Sequence, residues 1–533
     1  MNIIELFRDR ALIQPHFPAI IDRDPRTRFG HSRITSFSDL EFFSQCWARF
    51  LHQKGLKPGD GVLIFYPLSA ELYIILAAVF RLGLVAIFLD PAAGRKHIDR
   101  CCQIYPPQVF ISNTKAHFLQ LFCPQLQQIP LKISLGCPFL QTLSRQKISG
   151  LVPYTEIYPC LPDSPALLTF TSGSTGQPKA VMRSQGFLIA QYQILRQTLQ
   201  LQPGELELST LPIFIFANLA SGLTSLIPDV DLRFPGKIKA DRAIAQIKKY
   251  HPSRLIASPA FLECLIDWCR DRSLILPQIE KIFVGGAPVM PHTISQLKNV
   301  FPQAKITIVY GSTEAEPIAS IAEEEIAELD WQKMRSGGGL LVGKPVSDLQ
   351  LQLFSEPEKA IAFSQENEFK NYCLPWGEVG EIIVSGDRVL SGYLNEKEEK
   401  TNKIRVGGTL WHSTGDLGYL DEWGRLWLLG RRSGCIRDRF GILYPFAVEC
   451  VINCCPEVKR SAVISWQGKR ILLIELRKNK QQLDLKFWQH FLENNRIARI
   501  KICSQIPVDK RHNSKVDYTR VYDIMPKLMG EER

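Results

Sequence analysis

Residues 169–179 read Thr-Phe-Thr-Ser-Gly-Ser-Thr-Gly-Gln-Pro-Lys. Gly173 and Gly176 lack the Cβ that keeps backbone N–H groups away from an anion, and Thr171, Ser172, Ser174 and Thr175 add hydroxyl donors. Lys179 adds a positive charge. Such a donor set suits the oxygens of a polyphosphate. The spacing is not GxxxxGK[ST], so this is not the Walker loop. Standing alone, a Ser/Thr/Gly run is more often a solvated linker. Here it is entered from the apolar run 166–170, which by composition is a buried strand. Further groups of chemical interest are Gly285-Gly286-Ala287-Pro288, Tyr310-Gly311-Ser312-Thr313-Glu314, Ser413-Thr414-Gly415-Asp416, and Lys515 at the end of a late polar run. Taken singly, Tyr310 reads as core, Glu314 and Lys515 as solvated charges, and Asp416 as a turn former.

The elements that must position these groups alternate in type. Apolar runs rich in β-branched and aromatic residues recur at 61–66, 84–89, 166–170, 254–257, 281–284 and 306–310, with helix-like segments at 242–250 and 261–270 between some of them. Alternating strands and helices predict parallel sheets covered on both faces. Four of the runs lead directly into loops rich in Gly, Ser, Thr or Pro, after Phe170, Ala257, Val284 and Tyr310. Ligands of open α/β sheets bind beyond the carboxyl ends of strands, so the four loops predict one shared site.

The chain has 533 residues, beyond the roughly 250–300 at which single cores stop growing. A formal charge of +11 invites a nucleic-acid reading. The excess is local, however: residues 431–533 carry 21 basic and 11 acidic side chains, and the first 430 carry 43 and 42. The expected organisation is a large α/β domain with several sheets over 1–430, a hinge at 431–434, and a small basic α+β lid over 435–533. The start lacks a secretory h-region, and the most apolar stretch, 73–89, is interrupted by Arg81 and Gly83. It therefore reads as a buried helix feeding a buried strand. Fourteen cysteines without CxxC spacing read as reduced thiols of a cytoplasmic protein. No HExxH or HxH spacing proposes a zinc site, and no RNA- or DNA-binding motif supports a nucleic-acid partner.

The segment 171–179 fits in full the pattern [ST]SG[ST]TGxPK of the adenylate-forming superfamily of acyl-CoA synthetases, luciferases and peptide-synthetase adenylation domains, which the chain resembles along nearly its whole length. The GGAP, YGSTE, STGD and GR motifs and the final lysine follow in family order. The resemblance implies attack of a carboxylate on the α-phosphate of ATP, giving acyl-AMP and pyrophosphate. It implies that Thr171, Ser172, Gly173, Ser174, Thr175, Gly176 and Lys179 hold the β- and γ-phosphates. Thr313 would contact the α-phosphate, and Glu314 would bind Mg²⁺. Gly286 and Ala287 would seat adenine, and Tyr310, followed by Gly311, would stack on it. Asp416 and Arg431 would hold the ribose, and Lys515 would bridge the carboxylate and α-phosphate.

Several positions depart from the general pattern: Ala180 and Ser184-Gln185 after the phosphate loop, no histidine in 211–218, Ser433 at the hinge and Ser514 before the last lysine. Asp90-Pro91-Ala-Ala-Gly-Arg-Lys96, LPIFIFAN, ASPAFL, Gly441-Ile-Leu-Tyr444 and 507–515 resemble the β-lactone synthetases of long-chain olefin biosynthesis. That resemblance implies a 2-alkyl-3-hydroxy fatty acid whose own hydroxyl displaces AMP, so CoA is not required. Glu316 stands where an apolar residue is expected, and the apolar runs 214–219 and 223–227 favour an acyl tail. Transfer to CoA or to a carrier protein stays open as the alternative, as does a non-catalytic ATP-binding or basic binding protein. The basic lid suits anionic ligands, and an anionic membrane, a pathway enzyme or an acidic carrier are further partners it admits.

Overall fold

The computed structural model describes residues 1–24, 31–89, 94–135, 145–172, 178–355, 363, 365–390, 392, 394, 402–477, 489–509 and 515–530. Contacts divide the chain into two compact units, 1–229 with 386–403, and 230–385 with 404–533.

The first unit is built on a six-stranded sheet. Its strands lie in the order Leu131–Leu135, Val109–Asn113, Gly61–Phe65, Val85–Phe88, Pro165–Ser172 and Pro178–Ser184. The first five are parallel, and the last is antiparallel to its neighbour. The 73–89 stretch is, as expected, a buried helix and strand. All twelve residues of the helix Ala70–Arg81 are buried, and Leu82–Leu84 turn the chain into Val85–Phe88. Arg81 is tolerated inside because its guanidinium bonds the Glu41 carboxylate and donates to Thr155 O at 2.9 Å. Leu206–Ser209, Thr224–Leu226 and Pro18–Arg23 form a second parallel set, edged by antiparallel Ser32–Ser36. Segment 386–403 returns to this unit, where Leu394 N–H donates to Ala180 O at 3.2 Å.

In the second unit Arg254–Ala257, Lys281–Gly285 and Lys305–Ser312 run parallel. The runs expected to form parallel sheets do so in both units, and antiparallel strands extend the second set. Ala315–Ala322 follows Lys305–Ser312 after only Thr313 and Glu314, too short a link for a crossover, and pairs antiparallel. The antiparallel run continues through Leu340–Pro345, Leu426–Arg431, Thr409–Leu420, Gly380–Ser385 and Gln350–Phe354.

The C-terminal part builds its own sheet from Val458–Trp466, Lys469–Leu476 and Ile497–Cys503. Strand alternation gives it two faces. Val463, Leu472 and Ile474 pack under Val448, Val451 and Ile452 of helix Pro445–Asn453. Ala462, Ile464, Ile471 and Leu473 pack under Val521 and Met525 of helix Tyr518–Met529. The fold is therefore α/β with several sheets and a small α+β C-terminal part. No helix among the described residues is long and apolar enough to cross a membrane. The described cysteines are free thiols, and burial pushes those of Cys101 and Cys102 up to about 12.

Candidate active site

The register of the second unit's parallel strands fixes where the predicted groups lie. Ala257, Val284 and Ile308 are lateral partners, so Ser258, the Gly285-Gly286 turn and the YGSTE segment leave the same edge of the sheet. Gly285 is needed there, since a Cβ would stand 2.5 Å from Val309 O. Gly286 has φ +79°, in the left-handed region that side chains avoid. Gly286 and Ala287 are half-buried, which leaves backbone open at the strand end. Gly311 is tight against the returning strand, with Ala315 O 3.1 Å from a built Cβ.

Tyr310 on this edge meets the antiparallel strands. Its Oη donates to Asp416 Oδ2 at 2.7 Å. Asp416 lies directly opposite Arg431 in the ladder, and Arg431 Nε contacts Asp416 Oδ1 at 2.9 Å. Arg431 Nη1 also donates to Thr414 O at 3.0 Å. Asp416 is thus not a turn former but a strand residue between two donors. Its carboxylate raises the Arg431 guanidinium further, with Tyr310 and Glu314 adding to the field against burial. Burial first, then the Asp416 charge, pushes the Tyr310 phenol well above its ordinary value, so it stays a donor. Three predicted residues are therefore in direct contact, and Glu314 is near enough to act on Arg431.

Glu381 is the residue that sequence reasoning missed. It is buried in Gly380–Ser385 and gathers Ser413 Oγ, Gly415 N at 3.0 Å and Arg432 Nη1 at 2.7 Å. It thereby holds the loop that presents Asp416. The only signal was one acid in the apolar run Glu381-Ile-Ile-Val384. Ser312 Oγ is buried with no hydrogen-bond partner, an unused polar atom inside the YGSTE motif. That capacity, the bare glycine turns and the half-used Asp416 fit a ligand rich in hydroxyls and phosphate oxygens.

Other predicted residues lie elsewhere. In the first unit Thr171 and Ser172 end the strand Pro165–Ser172, and Lys179, half-buried, pairs with Thr171 in the returning strand Pro178–Ser184. Gly173, Ser174, Thr175 and Gly176 lie outside the described residues. Thr313 and Glu314 form the link between two strands of the second unit. Lys515 lies beside the bridge Val508↔Val516, its backbone N–H donating to Asp509 Oδ1 at 3.0 Å and its carbonyl accepting from Asp509 N at 2.9 Å. The run 214–219, expected to favour an acyl tail, lies in a helix. Helix Pro212–Ser221 is buried from Phe214 onward, with Phe216 packed on Phe7 and Phe80 at 4.8 and 6.0 Å. Among the described residues no three His, Cys, Asp or Glu side chains cluster as a metal site.

Comparison with known proteins identifies the family and the fold. An olefin β-lactone synthetase of Xanthomonas campestris pv. campestris is 29% identical over 504 residues, covering 90% of this chain and 89% of that protein. An anthranilate CoA ligase solved with anthranoyl-AMP superposes with a TM-score of 0.81 at 16% identity, covering 98% and 97% of the two chains. The O-succinylbenzoate coenzyme A synthetase of Bacillus subtilis, solved with ATP and magnesium, gives 0.75 at 20% identity, covering 97% and 99%. The model of the AMP-binding enzyme family matches residues 7–394. The chain belongs to that family and is an adenylate-forming, acid-activating ligase.

Proposed function

We propose that the enzyme activates a long-chain 3-hydroxy fatty acid and closes it to a β-lactone. The supporting observation is the 29% identity to an olefin β-lactone synthetase over 90% of the chain. In the first step a carboxylate oxygen bonds to the α-phosphorus of ATP, and the bond to pyrophosphate breaks. In the second the substrate's 3-hydroxyl oxygen bonds to the acyl carbon, its proton is released, and the bond to AMP breaks. Two anions must meet in the first step, so positioning and charge neutralisation dominate the barrier.

In this reading Thr171 to Gly176 and Lys179 hold the β- and γ-phosphates, and Thr313 holds the α-phosphate. Gly286, Ala287, Tyr310 and Gly311 seat adenine, and Asp416 with Arg431 holds the ribose. Glu314 is a single carboxylate, so it would hold Mg²⁺ together with phosphate oxygens, as this hard cation prefers. Lys515 meets the substrate carboxylate after rotation of 435–533 about 431–434. The single turn Arg432–Gly434 suits that role, and a Cβ on Gly434 would press on Pro445 and Tyr518 at 3.3 Å.

A product assay by mass spectrometry tests the proposal with 3-hydroxy and unsubstituted fatty acids, with and without CoA. The expected result is AMP release from the hydroxy acid without CoA and a product lighter than the acid by one water. Strict dependence on CoA would overturn lactone closure and leave acid activation standing.

A further inference from the structure

The first unit carries an exposed apolar wedge that has no part in the reaction above. Phe118, Leu121 and Phe122 are 53%, 62% and 64% exposed, on the 3-10 turn Phe118–Leu121 and the residue after it. Their base is fixed. Leu119 packs against a core cluster that contains Cys123, Leu126, Ile98 and Phe110. The following helix, Pro124–Gln128, is tied to the helix Arg95–Ile104 by Gln125 N–H donating to Asp99 Oδ1 at 3.2 Å. Three large apolar side chains thus project from a rigid support, which marks an interaction site rather than scatter.

The charge around the wedge is one-sided. Residues 94–132 hold five Lys or Arg (Arg95, Lys96, Arg100, Lys115, Lys132) and one acid, Asp99. Asp99 is already engaged by Gln125 and faces Arg95 at 3.8 Å. Arg95, Lys96, Arg100 and Lys115 are exposed. Lys115 stands one helical turn before Phe118 in Thr114–His117. Arg95 is close to the residue after Phe122: burial raises the Cys123 thiol, Asp99 adds to this, and Arg95 opposes it. An apolar wedge bordered by cations matches an anionic bilayer surface, where apolar side chains enter the acyl boundary and cations meet headgroups. A second copy of this chain would set like-charged surfaces against each other.

We propose that the wedge Phe118–Leu121 with Phe122, flanked by Lys115 and Arg95, docks the enzyme peripherally on an anionic lipid bilayer. The full-length protein is sedimented with vesicles of phosphatidylcholine alone or with phosphatidylglycerol added. Wild-type protein is expected to sediment with the anionic vesicles. The triple substitution Phe118→Ser, Leu121→Ser, Phe122→Ser should lower the partition coefficient by about a hundred-fold with an unchanged thermal midpoint. Lys115→Gln should lower it by roughly five-fold, the effect of one cation near an anionic surface. Wild-type protein left in the supernatant with both vesicles overturns the proposal, as does unchanged partition of the triple variant. A dimer that the triple variant dissociates, without vesicle binding, overturns it in favour of a second copy. Should the triple variant not fold, unchanged partition of Lys115→Gln overturns it alone.

Discussion

Asp416 has one donor on each oxygen, Tyr310 on Oδ2 and Arg431 on Oδ1. A carboxylate offers about four lone-pair sites, so roughly two remain for hydroxyls of a bound sugar. Asp416→Ala removes those acceptors and leaves two donors unpaired. Its kcat/KM for ATP should fall by about a hundred-fold, the 2–3 kcal/mol of a lost charged hydrogen bond, in steady-state AMP formation. Tyr310→Phe keeps the ring and loses only the hydroxyl, so it should cost about ten-fold or less. Tyr310→Ala should cost clearly more if the ring stacks on adenine. Equal losses for Phe and Ala would remove the stacking role and leave Tyr310 as a partner of Asp416 alone.

At the scale of elements, strand ends and a helix set the terms. A Cβ at Gly285 would meet backbone at 2.5 Å, and backbone cannot rotate away as a side chain tip does. Gly285→Ala should therefore lower stability by about 1–3 kcal/mol, read as a lower denaturant midpoint at unchanged slope. Glu449, in helix Pro445–Asn453, is buried, and Tyr518 Oη donates to it at 2.7 Å and Val463 N at 3.1 Å. Burial outweighs these bonds and pushes its carboxyl from 4.5 to about 7. Between those values the folded chain keeps a proton that the unfolded chain has released, so stability falls as pH rises. The fall is on the order of 3 kcal/mol, and it is level below about 4.5 and above about 7. Glu449→Gln should flatten that slope, checked by hydrogen exchange of the C-terminal helices across this range. Strands and helices here were legible because their patterns are local. The run 254–257 reads as a strand and is one, and 242–250 reads as a helix within Ala240–Tyr250. The contact of Tyr310 with Asp416 spans 106 residues, and only the family resemblance that assigns both motifs to one nucleotide hinted at it. Glu381 had no motif at all, and its importance arises from three partners that no spacing rule brings together.

At the scale of the molecule, the chain's path was the least legible feature. Segment 386–403 leaves the second unit to lie with the first, a choice set by tertiary packing that no composition shift announces. Within the second unit, Arg477 directly follows the sheet strand Lys469–Leu476 and reaches two helices far back in sequence. Its Nη2 is 3.3 Å from His292 Nε2 and its Nη1 is 3.9 Å from Asp267. Burial, then the Arg477 charge, lowers His292 to about 4. Arg477→Ala should let the His292 titration move up toward the ordinary value near 6.5, seen by NMR. The lost pair with half-exposed Asp267 should cost less than about 1 kcal/mol in stability. A wider consequence follows from Asp416 standing opposite Arg431 in the ladder. Arg431 closes its strand immediately before the turn Arg432–Gly434, and Arg432 is anchored on Glu381, which also holds the Asp416 loop. With the ribose roles proposed for Asp416 and Arg431 and the proposed hinge at 431–434, ligand contact and tail orientation would act on one short covalent stretch. Thermodynamic reciprocity then demands that whatever a nucleotide does to the tail, the tail does in equal measure to the nucleotide's affinity.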